Sequence, residues 1–387
     1  MQEDFHYYAT YCAAFIAGYT HEECMDICYS AQFVDLCSKS FLSGIGAPLS
    51  AATTQLQLEL MDVRTDIIGL QDITRIWASF HFLPKDLYAV KKWCSKKYKN
   101  KYRLICGPNG ELLAETVKLA KNTSLQAVGT AMHVLADTWA HMYFAGTPSL
   151  VINNTDYYFY ELIPEGDGYT EKHISFKHSP KSPDNPDKCF YVGSLYQMNE
   201  NSIMNLGHGR AGHLPDYSFI HYKYLPAWNG YKEVVKDNPS DYYKAFCQMV
   251  YAMKYLRGDI DSFKTDTYAY DEVAPYEGRI KEILNTRQLS ASEDFKKFGE
   301  ELSGKVIEKF DVNKYKEEYI SASGYDKDKT FLGKFIIAAL SQKSMVTNKI
   351  YKSGNRLAGV SVDYKSKGFK GIKDFAKLIS LRRNWDE

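Results

Sequence analysis

The 387-residue chain has almost no net charge: 48 Lys and Arg stand against 47 Asp and Glu. Such a balance gives no reason to expect an extended polyanion as partner. The chain also lacks any uninterrupted apolar run of the ~18 residues that a membrane span needs. The opening Met1-Gln2-Glu3-Asp4-Phe5-His6 has neither the basic stretch nor the apolar core of an export signal. The expectation is a cytoplasmic protein with no transmembrane segment. Paired-cysteine zinc knuckles are missing too, since Cys12, Cys24, Cys28, Cys37, Cys94, Cys106, Cys189 and Cys247 fall at no such spacing. Cys24 and Cys28 share a helix face but have no second pair, so buried, reduced thiols are expected. No internal repeat is detectable, and no consecutive His-Asp pair occurs anywhere. The latter counts against a phosphohydrolase of the His/Asp type.

What is present is a 45% hydrophobic composition, enough for a large core in one helical domain or two. Its most informative stretch is His133-Val-Leu-Ala-Asp137-Thr-Trp-Ala-His141. On a helix, residues at i, i+4 and i+8 lie about 40° apart with roughly 6 Å of rise between them, so the three side chains stack along one face. For this composition such a trio is expected about 0.03 times by chance. One buried His on an apolar face is usually a core residue bonded to a carbonyl; three ligand types on one stripe form a bed for metal ions. Zinc accepts imidazole nitrogen and carboxylate oxygen, and a central carboxylate can bridge two ions.

A second cluster, Asn205-Leu-Gly-His208-Gly-Arg210-Ala-Gly-His213-Leu-Pro-Asp216, is interleaved with glycines that let backbone approach a bound group closely. Adding His6, His81 and Asp35, six of the ten histidines sit in segments able to converge. Asp35 falls near the end of a helix, where an acid opposes the macrodipole, and a nearby cation accounts for its placement. Lys91, Lys92, Lys96, Lys97, Lys99, Lys101 and Arg103 form a basic run of the kind usually found on a solvated surface.

Apolar periodicity predicts helices over 5–18 and 21–39, the second opening on a Thr20/Glu23 capping box. Residues 43–80 read as irregular, with a strand-like alternation at 54–60, and 86–100 as helical. One or two helices fill 111–145, the second opening near Thr123 or Ser124, carrying the trio and stopping at Gly146-Thr147-Pro148. The Tyr-, Asn-, Pro- and Gly-rich stretch 148–202 suits an insertion of short strands and loops. Helices resume at about 241–257, 273–285, 292–309, 328–343 and 370–380. Gly258-Asp259-Ile260-Asp261 suggests a boundary between a core, 1–265, and a C-terminal helical region, 266–387.

An early His, an Asp some thirty residues on, an isolated His, His-x-x-x-Asp followed by His, and a final His with an acid is an order of ligands that resembles the zinc-dependent phospholipase C and single-strand nuclease superfamily. The local wording Asp4-Phe5-His6-Tyr7, Phe80-His81-Phe82-Leu83-Pro84, 133–141 and 207–216 is closer still to an uncharacterised bacterial family of unknown function distantly similar to it. The resemblance covers roughly residues 4–225. It implies an all-α fold: a multi-helix phospholipase C/nuclease-like core with a short-strand insertion and extra C-terminal helices.

It also implies two or three zinc ions, other divalent metals being possible. Asp35, His81, His133 and Asp137 would hold one ion, and Asp137 would bridge to a second on His6. His141 and His208 would hold a further ion with His213 or Asp216. This chain departs from the pattern in the spacing of Asp137 and His141 and in the final pair. The superfamily's secreted members lend a mature N-terminal residue to the metal; with Met1 opening the sequence, Asp4 is the expected substitute. The reaction implied is phosphodiester hydrolysis by a metal-activated water attacking phosphorus in line, with Asp35 as ligand and proton acceptor and Arg210 as a phosphate fork. Lipid, nucleotide and nucleic-acid esters are all open as substrates. The competing reading is a helical scaffold whose metal is structural and which does no catalysis.

Overall fold

The computed structural model describes residues 1–61, 67–166, 168–177, 183–192 and 205–359. Its centre is the helix Leu125–Ala140. In chain order the main helices are α1 (Thr10–Ile16), α2 (His21–Phe33), α3 (Ile67–Phe80), α4 (Glu111–Ala120), α5 (Leu125–Ala140), α6 (Asn238–Arg257), α7 (Ser292–Ser303) and α8 (Phe331–Lys352). A π-helical turn, Asp4–Ala9, leads into α1.

Local chemistry sets the helix ends. Thr20 and Glu23 form the expected reciprocal capping box on α2. The Ser124 side chain accepts the Ala127 N–H at the start of α5. Asp237 caps α6, which ends at Gly258 with φ +97°. Helix α7 stops at Gly304, φ +65°, short of the expected 309.

Helices α2, α4, α6 and α8 pack around α5, and all but 2 of the 16 residues of α5 are buried. Polar ties cross the core: Trp139 Nε1 donates to Gln248 Oε1 at 2.8 Å, and Gln342 Nε2 donates to Ser79 O and to Thr116 Oγ1. The crossing of α2 on α5 depends on Gly129. A Cβ there would lie 2.2 Å from Ile27 O and 2.6 Å from Ser30 Cβ. Gly→Ala inside a helix ordinarily stabilises by up to about 1 kcal/mol, but a methyl forced onto a backbone carbonyl costs about 1–3 kcal/mol. Gly129→Ala is expected to lower unfolding free energy in a urea titration by about 2 kcal/mol. Gly278→Ala, where a Cβ meets nothing within 4 Å, should be neutral or slightly stabilising.

The all-α expectation is corrected by two sheets. Strands β1 (Tyr160–Glu165), β2 (Gly168–His173), β5 (His221–Tyr224) and β6 (Val234–Asp237) form an antiparallel sheet of order β2-β1-β5-β6. Strands β3 (Ser175–Lys177) and β4 (Phe190–Val192) form a parallel pair. The expected insertion of short strands is thus present in part. What a purely helical reading misses is that β1 pairs Tyr160 with Lys223, some sixty residues on, so β5 and β6 extend the sheet beyond 202. A second, aromatic core of Phe82, Phe144, Phe159, Tyr191, Tyr222 and Tyr224 joins this layer to the loops leaving α3 and α5.

Other expectations shift. The stretch 54–60 is no strand, since Gln57–Met61 is helical, and α3 occupies a region read as irregular. The helix expected over 86–100 is confined to Lys96–Tyr102. Helix 328–343 lengthens to Phe331–Lys352, and the one expected at 370–380 lies outside the described residues. All eight cysteines are free, seven of them buried. Cys24 and Cys28 donate to the carbonyls of Tyr19 and Met25, and burial pushes both thiols up.

Candidate metal centre

Helix α5 presents His133 and Asp137 on its inward face, and His141 follows as the C-cap, its N–H bonded to Asp137 O at 2.9 Å. Four further segments converge on them. The π-helical turn brings His6, with Nε2 3.1 Å from Asp137 Oδ1. The end of α3 brings His81, with Nδ1 3.3 Å from Asp137 Oδ2. The turn after α2 brings Asp35, with Oδ1 3.7 Å from His81 Nδ1 and 3.9 Å from His133 Nε2. The fourth segment, the loop before β5, contributes Asp216, with Oδ1 3.1 Å from His141 Nε2, and His208, with Nε2 3.6 Å from Asp216 Oδ2.

Three ligand groups result, each with donor atoms within 4.8 Å of one another: Asp35, His81 and His133; His6, His133 and Asp137; His141, His208 and Asp216. His213 falls outside them. It is 59% exposed and holds the Asp216 carboxylate from behind, Nδ1 to Oδ2 at 3.1 Å. The open choice between His213 and Asp216 therefore falls to Asp216 as the residue grouped with His141 and His208. Asp4 is not in the set: its oxygens accept the N–H groups of Phe5 and Ala291.

The Met1 nitrogen, and not the Asp4 carboxylate, lies beside the cluster. It is buried, 2.8 Å from Asp137 Oδ1, 3.2 Å from His141 Nε2 and 3.3 Å from Asp216 Oδ1. Burial alone would lower its pKa, but Asp137, Asp216 and Asp35 outweigh burial and raise it to about 11. The centre thus draws positive charge to the position between its carboxylates.

The imidazoles are oriented for ligation. His133 Nδ1 pairs with Ala31 O at 2.9 Å, His81 Nε2 with Thr53 O at 3.0 Å, His141 Nδ1 with His81 O at 2.7 Å, and His208 Nδ1 with Gly212 O at 2.8 Å. In each ring a carbonyl takes the proton of one nitrogen and leaves the lone pair of the other facing the cluster, the arrangement that fixes metal-ligating histidines. Close helix packing and special backbone supply these carbonyls: Gly129 lets Ala31 O approach His133, and Gly212 at φ +54° turns its own carbonyl. Both ring nitrogens of His6 are buried and make no well-aligned hydrogen bond among the described residues; Nε2 meets Asp137 Oδ1 at 3.1 Å and the ring stacks on His133 at 3.8 Å. A buried imidazole left so is costly unless something else engages it.

Protonation states suit cation binding. Burial brings His6, His133 and His208 down to about 4, so their rings are neutral near pH 7. Burial would raise Asp137, but His141, the Met1 ammonium, His133 and His6 hold it well below the carboxylate range. Asp216 is likewise held low, by His208 and the Met1 ammonium acting against burial. Asp35 differs, since burial raises it against the pull of His6 and His81. Its side chain is 29% exposed and forms the edge of the cluster nearest solvent.

Arg210 lies two residues from His208, and its Nε is buried with no hydrogen-bond partner among the described residues. Trp139 and Tyr143 belong to packing: Trp139 is buried, and Tyr143, at φ +83°, stacks on Trp228. His221 sits in β5 against Tyr169, away from the cluster. No helix among the described residues is long and apolar enough to cross a membrane.

No curated protein and no solved structure matches the chain significantly, so kinship to the phospholipase C and nuclease superfamily rests on the pattern of residues alone. One family model does match, over residues 1–350, and the chain belongs to that family of unknown function, DUF6765.

Proposed function

We propose that this protein is a metal-dependent hydrolase of phosphodiester bonds, with a centre of two or three divalent ions for which zinc is the best-suited metal. The observation that carries the reading is the position of Asp137. One carboxylate oxygen faces His6 and the other faces His81 and His133, as a ligand shared between neighbouring ions must.

His141, His208 and Asp216 form a group of three side chains, whereas a shared Asp137 makes a fourth beside Asp35, His81 and His133. A structural zinc site is closed by four protein ligands, whereas a catalytic one keeps a position for water or substrate. The three-ligand group of His141, His208 and Asp216 favours catalysis over a structural scaffold. Neighbouring divalent ions, when bound, supply Lewis acidity toward phosphate oxygens and lower the pKa of water toward neutrality. The chain's own residues do the rest. Asp35, at the solvent edge with a raised pKa, is placed to accept a proton from the attacking water. Arg210 offers a planar fork of donors to a phosphate oxygen. His213 keeps the Asp216 carboxylate turned toward His141 and His208.

The test is hydrolysis of a generic phosphodiester by protein reconstituted with zinc. Activity is expected to vanish on chelation, return with metal, and fall about 10³-fold in Asp35→Asn. Full activity in the chelated protein and in that variant would exclude the proposal.

A further inference from the structure

Between Pro84 and the helix Lys96–Tyr102 the chain runs as a loop pinned by one buried side chain, Leu87. Around that anchor Tyr88, Val90 and Trp93 are left to solvent, 60%, 78% and 101% exposed. Trp93 has φ +56°, a left-handed conformation that bulky residues adopt only under constraint. Scattered exposed apolar residues are ordinary, but an indole, a phenol and an isopropyl group uncovered within six residues make a patch. Leu150 and Val151, 46% and 44% exposed, lie on the helix Leu150–Asn153, which packs against Lys96–Tyr102.

Cations surround it. Residues 84–103 contain Lys85, Lys91, Lys92, Lys96, Lys97, Lys99, Lys101 and Arg103, against the single acid Asp86. Asp86 is engaged in a turn with the Tyr88 N–H. Lys96 also lines an open cavity of about 620 Å³ with Asn100, Tyr351, Lys352, Gly354 and Arg356. Lys96, Lys352 and Arg356 line that space, with no acid among the described lining residues.

We propose that the segment Lys85–Arg103 docks this protein on a bilayer surface containing anionic lipid. Tyr88, Val90 and Trp93 enter the headgroup layer, while Lys92, Lys96 and Lys97 meet anionic headgroups, one of which fits the Lys96–Arg356 cavity. Aromatic rings at the interface with flanking lysines are the chemistry of such surfaces. Aromatics and lysines would also serve single-stranded nucleic acid. Exposed Val90, Leu150 and Val151 have no role there, whereas acyl chains cover them. The inference stands on residues outside the metal centre and does not depend on hydrolysis.

Sedimentation of the full chain with vesicles tests it. Binding is expected to phosphatidylcholine vesicles containing about 30 mol % phosphatidylglycerol, to weaken as salt rises, and to be slight with phosphatidylcholine alone. Val90→Ser with Trp93→Ser, and separately Lys92→Glu with Lys97→Glu, should each weaken binding about tenfold or more while leaving the melting temperature unchanged. The proposal is overturned if the wild-type chain stays in the supernatant with both vesicles, if both double variants bind as it does, or if a single-stranded oligonucleotide is bound in preference to vesicles.

Discussion

Asp137→Asn is expected to remove metal from the His6 side of the centre, loosen it on the His81 side, and lower phosphodiester hydrolysis by about 10³-fold. The substitution keeps shape and volume, so a change in packing cannot explain the loss. What disappears is a full negative charge contacting His6, His81, His133 and the Met1 nitrogen at 2.8–3.3 Å. The asparagine also replaces one carboxylate oxygen by an amide NH₂, which has no lone pair to offer an ion and instead donates to the imidazole lone pairs that face the cluster. Elemental analysis should find less than half the wild-type metal content, with the remainder on His141, His208 and Asp216. His213→Ala is the contrast. It removes a support behind a ligand and no ligand, and should weaken metal affinity by about 10–100-fold without changing the number of ions bound at saturation.

Removal of metal should change stability nearly as much. An ion that binds only the folded chain stabilises it by about 2.7 kcal/mol at a hundred times its Kd. Two or three such ions would raise the melting temperature by on the order of 10 °C over the chelated protein. The donors come from the N-terminal turn, the turn after α2, the end of α3, α5 and the loop before β5. No single segment could hold the ions after unfolding. Differential scanning calorimetry with zinc and with a chelator reads this directly; equal melting temperatures would show that no folded-state site of useful affinity exists.

The trio at 133, 137 and 141 was legible because helical periodicity turns spacing into geometry. The structure places His133 and Asp137 on the inward face of α5 and His141 at its cap. His6, Asp35, His81 and His208 were legible as residue types in order, though nothing local shows that they meet. The choice between His213 and Asp216 was not legible, because the loop is held by short 3₁₀ turns and Gly212 at positive φ and follows no repeating period. Assigning Asp4 to the centre failed because its oxygens are spent on the N–H groups of Phe5 and Ala291, the latter nearly three hundred residues away.

The fold follows the same division. Capped, periodic helices such as α2 and α5 were visible. Strands β5 and β6 were not, because four-residue strands such as His221-Tyr-Lys-Tyr224 gain their pairing from distant partners. The basic run at 91–103 was read as plain solvated surface. Its neighbours Tyr88, Val90 and Trp93 give it a different character, visible only once their exposure is known.

Anomalous diffraction at the zinc edge, from crystals of the zinc-loaded protein, tests the central claim most directly. The account predicts two or three adjacent peaks, with Asp137 contacting more than one and His141, His208 and Asp216 around another. A map with no peak in this cluster, or with one isolated ion closed by four side chains, would contradict it.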